Sequence, residues 1–242
     1  MEKIQHIPSS RIEATADGSH TLFVPELDEH YHSVNGAIQE STHVFIQNGL
    51  LQMADKKEIR VLEIGFGTGL NALLTLLHTE KAEQNIHYTS LELYPIGDEI
   101  ASLLNYPSRL GESETALFFN ALHAAPWGKE AVVTPRFTLL KRNVDFTICD
   151  FPDSYDLIYF DAFAPEKQPD MWEQALFDRI AAATNEGGIL ATYCAKGEVR
   201  RRLQHSGFKV NRLPGPPGKR QMMQGVKIIE SGILTKRDTS NS

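Results

Sequence analysis

From residue 59 onward, short apolar runs alternate with longer segments whose hydrophobic positions recur every three or four residues. The runs predict strands at 59–64, 87–93, 136–141, 155–161, 188–194, 208–213 and about 222–229, and the periodic segments predict helices at 69–79, 96–104, 170–184 and 197–206. Strands alternating with helices imply an α/β fold around a largely parallel, doubly wound sheet. The last strand follows a loop, Pro214-Gly215-Pro216-Pro217-Gly218, with no helix, so it is expected to enter the seven-stranded sheet antiparallel. Residues 105–134 exceed an ordinary connection and read as a helical insertion centred on 115–123. Upstream, 11–24 reads as a hairpin around Asp17-Gly18, the pair favoured in a type I′ turn. Residues 31–53 read as a loop and a helix with Val44, Phe45, Leu50, Leu51 and Met53 turned to the core. The expected organisation is an extension over 1–54, a main domain over 55–234 and a polar tail over 235–242.

At the end of the first predicted main-domain strand lies Val61-Leu62-Glu63-Ile64-Gly65-Phe66-Gly67-Thr68-Gly69-Leu70-Asn71. Glycines at alternate positions let a ligand approach backbone where a Cβ would collide. Open α/β sheets bind ligands just past the carboxyl ends of such strands. A dinucleotide fingerprint needs glycine where Leu70 stands. The observed E-x-G-x-G-x-G is the form carried by S-adenosylmethionine (SAM) methyltransferases, whose class I fold is a Rossmann-like seven-stranded sheet with a reversed last strand. Glu63, Gly65, Phe66, Gly67, Thr68, Gly69 and Asn71 are therefore candidate cofactor contacts. Glu92 ends the next strand, 23 residues after Gly69, where an acid can accept hydrogen bonds from both ribose hydroxyls.

Composition changes the picture in one respect. The 242 residues are 41% hydrophobic and 23% charged, enough for a packed core, and no apolar run is long enough to span a membrane. The start, MEKIQHIPSSR, has no apolar signal region, and Cys149 and Cys194 have neither metal nor redox spacing. A cytoplasmic protein without a metal site is the expectation. The net charge is −7, yet residues 196–220 carry eight Lys or Arg against one acid, leaving −14 for the rest. That asymmetry suggests a local face for a polyanion, although a merely solvated basic helix accounts for it as well.

Strand 155–161 ends in Asp161, at the same sheet edge as the glycine turn. Methyl transfer needs a nucleophile lone pair aligned opposite sulfur, so positioning supplies much of the rate. An alkyl amine, with a pKa of about 10, must also be deprotonated, and Asp161 can orient it and take its proton. Capping of the following helix is the alternative use. Asp145 and Asp150 both follow the third main-domain strand, and either can accept a hydrogen bond from an adenine amine. Phe163, Lys196, Arg200, Arg201, Lys219 and Arg220 are the candidate substrate contacts, the cations as phosphate holders.

With these residues in view, the chain resembles the methyltransferase family that completes 5-methylaminomethyl-2-thiouridine at the tRNA wobble position. The matching segments are YHSVNGAIQESTHVFIQNGL (31–50), LEIGFGTGLN (62–71), DAFAPEKQPDMW (161–172), GGILATYCAKGEVRRRLQHSGF (187–208) and GKRQMMQG (218–225). The resemblance implies SAM-dependent N-methylation of the aminomethyl group, with Asp161 at the substrate amine and the glycine turn, Glu92 and Asp145 at SAM. Many relatives carry a fused flavin-dependent oxidase, for which this sequence has no second glycine fingerprint, so aminomethyl-uridine is expected from other tRNA-modifying enzymes. Relatives often have Gly-Asp where this chain has Val144-Asp145. Other readings are a methyltransferase or aminopropyltransferase acting on a small amine, and a nucleotide-sensing module that has no use for Asp161.

Overall fold

The computed structural model describes residues 9–111, 113–151 and 153–229. The N-terminal strands β1 (Arg11–Ala14), β2 (His20–Val24) and β3 (Glu29–His30) form a small antiparallel sheet. Helix α1 (Ala37–Ser41) runs directly into a π-helical stretch, Thr42–Gln47, and a 3₁₀ turn, Leu50–Met53, follows. The main domain then runs β4 (Glu58–Ile64), α2 (Leu70–Ala82), β5 (Asn85–Glu92), α3 (Asp98–Leu103), α4 (Tyr106–Leu110), α5 (Thr115–Ala124), β6 (Glu130–Thr134), β7 (Phe137–Asn143) and β8 (Tyr155–Phe160). It finishes with α6 (Gln174–Ala182), β9 (Thr184–Thr192), α7 (Gly197–His205), β10 (Phe208–Pro214) and β11 (Gln221–Lys227).

The main sheet has the order β10-β11-β9-β8-β4-β5-β7-β6. Strands β9, β8, β4, β5 and β7 are parallel neighbours, and β11 lies antiparallel between β9 and β10. This is the expected class I arrangement with its reversed last strand. The central strands are buried on both faces, which is why they read as unbroken apolar runs. One face packs Val61, Tyr88, Leu139 and Tyr159 against α2 and the N-terminal residues Leu22, Val44 and Phe45. The other packs Ile158 and Phe160 against Trp172, Phe177, Val199 and Leu203 of the α6–α7 side.

Four expectations need correction. The hairpin does not close on a type I′ turn: Gly18 has φ +80° but Asp17 does not have positive φ, as I′ requires. Instead the Asp17 carboxylate accepts hydrogen bonds from Ser19, Thr15 and the Gln39 amide, tying the turn to α1. Leu51 is 42% exposed, because it lies in the 3₁₀ turn Leu50–Met53, which buries Leu50 and Met53, three apart, on the opposite side. The 105–134 insertion is helical at α4 and α5 but ends in β6, an eighth, antiparallel edge strand. The helix expected from 170 begins at Gln174, since Glu173 is extended after a 3₁₀ turn, Pro169–Trp172. Residues 235–242, read as a tail, lie outside the described residues.

Candidate active site

The carboxyl ends of β4, β5 and β8 open into a cavity of about 370 Å³. Gly65, Phe66, Gly67 and Thr68 line it with Leu91, Glu92 and Phe146. Two glycines are dictated by space. A Cβ on Gly67 (φ +50°) would stand 2.8 Å from Tyr31 Cδ1, and one on Gly65 (φ +93°) would stand 3.0 Å from the Asp161 carbonyl oxygen. The Glu92 carboxylate accepts the Gly67 amide at Oε2 (3.0 Å) and the Tyr94 amide at Oε1 (2.9 Å). Burial raises its pKa against the pull of those amides. Each oxygen keeps a second lone pair for another donor.

Asp161 lies across the cavity, where its Oδ2 accepts the Asn71 side-chain amide at 2.8 Å. Burial pushes the Asp161 carboxyl up to about 7; Asn71 opposes the rise, Glu40 adds to it and Lys219 opposes it. Beyond Asp161 the wall comes from distant segments: Tyr31, Glu40, Phe163, Tyr193 and Lys219. The Tyr31 and Phe163 rings meet edge to face with centroids 5.1 Å apart. Lys219 Nζ lies 2.6 Å from Glu40 Oε1 and 3.9 Å from the Tyr193 ring centroid, while Glu40 Oε2 accepts the Ser33 amide at 2.7 Å. His32, with its ring nitrogen 2.9 Å from Thr68 Oγ1, is kept neutral by burial, which lowers its pKa to about 4.

Several expected contacts stand elsewhere. Glu63 and Asn71 are buried behind the cavity wall and do not line it. Gly69 turns the chain into α2 and faces His123. Phe66 lines the cavity at its edge while its ring packs on His123 and Trp127 of the insertion. Asp145 does not line the cavity either: its Oδ1 accepts the Thr147 amide and hydroxyl (2.9 and 2.5 Å), which folds the carboxylate back onto its own loop. Asp150 is exposed beside Arg142, at 3.6 Å. The residue after Asp145, Phe146, is the one that reaches the cavity.

The basic segment is also divided. Lys196 is paired with Glu166 and Lys219 with Glu40. The Arg202 guanidinium donates to the Trp172 carbonyl (2.5 Å), and Arg200 is half-buried. Arg201, Lys209, Arg212 and Arg220 are exposed. Sequence reasoning missed Tyr31, His32, Glu40 and Tyr193, which have no spacing relation to the glycine turn and meet it only through folding.

A family model described as S-adenosyl-L-methionine-dependent methyltransferase matches residues 127–228. Proteins named tRNA 5-methylaminomethyl-2-thiouridine biosynthesis bifunctional protein MnmC are similar to this chain. The one from Methylobacillus flagellatus is 31% identical over 206 residues, covering 81% of this chain and 32% of its own length. The one from Magnetococcus marinus is 30% identical over 235 residues, covering 92% of this chain and 35% of its own. The chain thus spans about a third of the length of the curated relatives it matches. The crystal structure of MnmC2 from Aquifex aeolicus superposes with a TM-score of 0.77 at 27% identity, covering 90% of this chain and 70% of that one. Together with the class I sheet and its glycine turn, these matches establish that the chain belongs to the S-adenosyl-L-methionine-dependent methyltransferases of the MnmC methyltransferase type.

Proposed function

We propose that this methyltransferase acts on a modified uridine of tRNA, converting 5-aminomethyl-2-thiouridine at the wobble position to its 5-methylaminomethyl form. The observation that carries the reading is the place of Asp161, between the glycine turn and an acceptor end walled by aromatic rings and the Glu40–Lys219 pair. The cofactor's nucleoside fits the other end. Gly65 and Gly67 leave room at the backbone, Glu92 has lone pairs for ribose hydroxyls, and Leu91 and Phe146 offer apolar walls to adenine. In this reading Thr68, Phe66 and Gly69 shape the turn, and Asn71 serves Asp161 in place of SAM.

SAM supplies an electrophilic methyl group on sulfonium when bound. The chain's own part is to hold the amine, remove its proton and exclude water. An alkylammonium has no free lone pair, so one proton must leave before attack. A carboxyl held near 7 accepts that proton close to neutral pH, where an ordinary aspartate would be too weak a base. Tyr31, Phe163 and Tyr193 provide faces on which an unstacked base can rest, as single-stranded RNA bases do on aromatic side chains. Arg201 and Arg220, with Lys209 and Arg212, are the exposed cations available to phosphates, and the reaction then belongs in the cytoplasm with tRNA.

The test uses purified protein, methyl-labelled SAM and tRNA from a strain lacking the modification. Label in 5-methylaminomethyl-2-thiouridine, identified by mass after digestion, is the expected result. Methylation of free small amines but not of tRNA would replace this reading with the small-amine one. Rates on tRNA should also fall steeply with salt, because phosphate contacts release counterions.

A further inference from the structure

Glu63 opens the glycine motif yet is 0% exposed, inside the layer between the sheet and α2. In register it lies between Ser90 on β5 and Tyr159 on β8. Its Oε2 accepts the Ser90 hydroxyl at 2.6 Å. The other groups acting on its carboxyl are Asn71 of α2, Tyr88 of β5 and Asp161, none of them a cation. A carboxylate buried without a counter-ion is very costly in a low-dielectric interior, and such a group neutralises by keeping its proton.

The hydrogen-bond inventory points the same way. Glu63 Oε1, Asn71 Oδ1 and Tyr88 Oη are all buried and all lack a partner. An ionised carboxylate and an amide oxygen can only accept, so among these three atoms Tyr88 alone brings a donor. A proton on Glu63 supplies the second. With it, the carboxyl O–H can donate to the Asn71 oxygen or to Tyr88, and the Asn71 amide is held with its nitrogen toward Asp161, the orientation seen at 2.8 Å.

We propose that Glu63 is a positioning residue, neutral in the folded enzyme, that orients the Asn71 amide and through it the Asp161 carboxylate, and that it does not bind the cofactor. This deepens the reading of Asp161 as the proton acceptor and rests on it. Burial also raises the Glu63 pKa to about 8 from an ordinary 4.5; Ser90, Asn71 and Tyr88 oppose the rise and the Asp161 charge adds to it. The unfolded chain releases this proton in a range where the folded one keeps it, so the group makes stability fall as pH rises from about 4.5 to about 8.

The test compares wild type with Glu63→Gln and Glu63→Ala. Denaturant unfolding from pH 5 to 8.5 should show the wild-type unfolding constant rising by up to about tenfold per pH unit more than that of Glu63→Gln. A protonated-carboxyl infrared band present at pH 7 in wild type should be missing from Glu63→Gln, a readout that needs no unfolding and no activity. Glu63→Ala should lose most of kcat, Glu63→Gln should restore it to within about threefold, and both should bind SAM within about twofold of wild type. An unchanged stability slope together with an unchanged infrared band would show Glu63 ionised and overturn the proposal. Tenfold weaker SAM binding by Glu63→Gln would overturn it in favour of cofactor contact. Asn71→Ala separates the two layers of the argument. If it keeps full kcat while the Glu63 proton is confirmed, the positioning role falls and the buried proton stands, whereas a fully active Asp161→Asn would sink the reading of Asp161 instead.

Discussion

At the end proposed for the nucleoside the cavity is made of one continuous stretch, Gly65–Thr68, the end of the neighbouring strand at Leu91 and Glu92, and Phe146. At the end proposed for the acceptor it is made of side chains from residues 31–40, 161–163, 193 and 219. The first is backbone geometry: glycines where a Cβ would strike Tyr31 or the Asp161 carbonyl, and a carboxylate fixed by two amides. The second is tertiary: Lys219 of the β10–β11 loop lies on Tyr193, just past the end of β9, and is held by Glu40 from the N-terminal segment. Cofactor binding should therefore depend on one short segment, whereas acceptor handling should depend on the whole chain being folded.

The sharpest test of that division is Asp161→Asn. Removing a general base typically costs about 10²- to 10⁴-fold in rate. The amide keeps a partner for Asn71, so SAM affinity measured by calorimetry should stay within a few fold. Loss of SAM binding in step with kcat would put Asp161 at the nucleoside end and collapse the distinction. At the other end, Glu92→Ala should weaken SAM about 10- to 100-fold, as expected from losing hydrogen bonds to a charged acceptor at roughly 1.5–3 kcal/mol. Saturating SAM should recover most of kcat. A variant whose SAM affinity is untouched would remove Glu92 from the ribose.

The same contrast explains what could be read in advance. The alternation of strands and helices, the reversed last strand, the glycine turn, Glu92 and Asp161 are all fixed by local pattern or by place at a strand end, and these are visible along one dimension. The acceptor wall is not, because nothing in the spacing of Tyr31, Glu40, Tyr193 and Lys219 says that they converge. Glu63 misled for a related reason: its motif marks a binding turn, but alternation along β4 directs this side chain into the core. Asp145 misled because the hydroxyl two residues on captures its carboxylate. Lys196 and Lys219 count as free cations in a sequence, yet each meets an acid only after folding.

The smallest expected effect tests the acceptor end alone. Asp161 feels Glu40 and Lys219 with opposite signs: the carboxylate raises its pKa and the ammonium lowers it. Glu40→Gln keeps the shape of the pair and the acceptor for Lys219 but deletes the negative charge, so the ammonium is left unopposed. The Asp161 pKa must then fall from about 7. A base works in its deprotonated form, so the acid limb of kcat/KM for the acceptor, measured at saturating SAM, should move to lower pH by a few tenths of a unit. Lys219→Met alone is the poorer probe, since it leaves Glu40 buried without its cation. The double variant Glu40→Gln/Lys219→Met removes both influences and should return the limb toward its wild-type position. SAM affinity should not change in either variant, because neither residue reaches the nucleoside end. A limb that stays in place or rises in Glu40→Gln would show that the Glu40 charge does not set the basicity of Asp161.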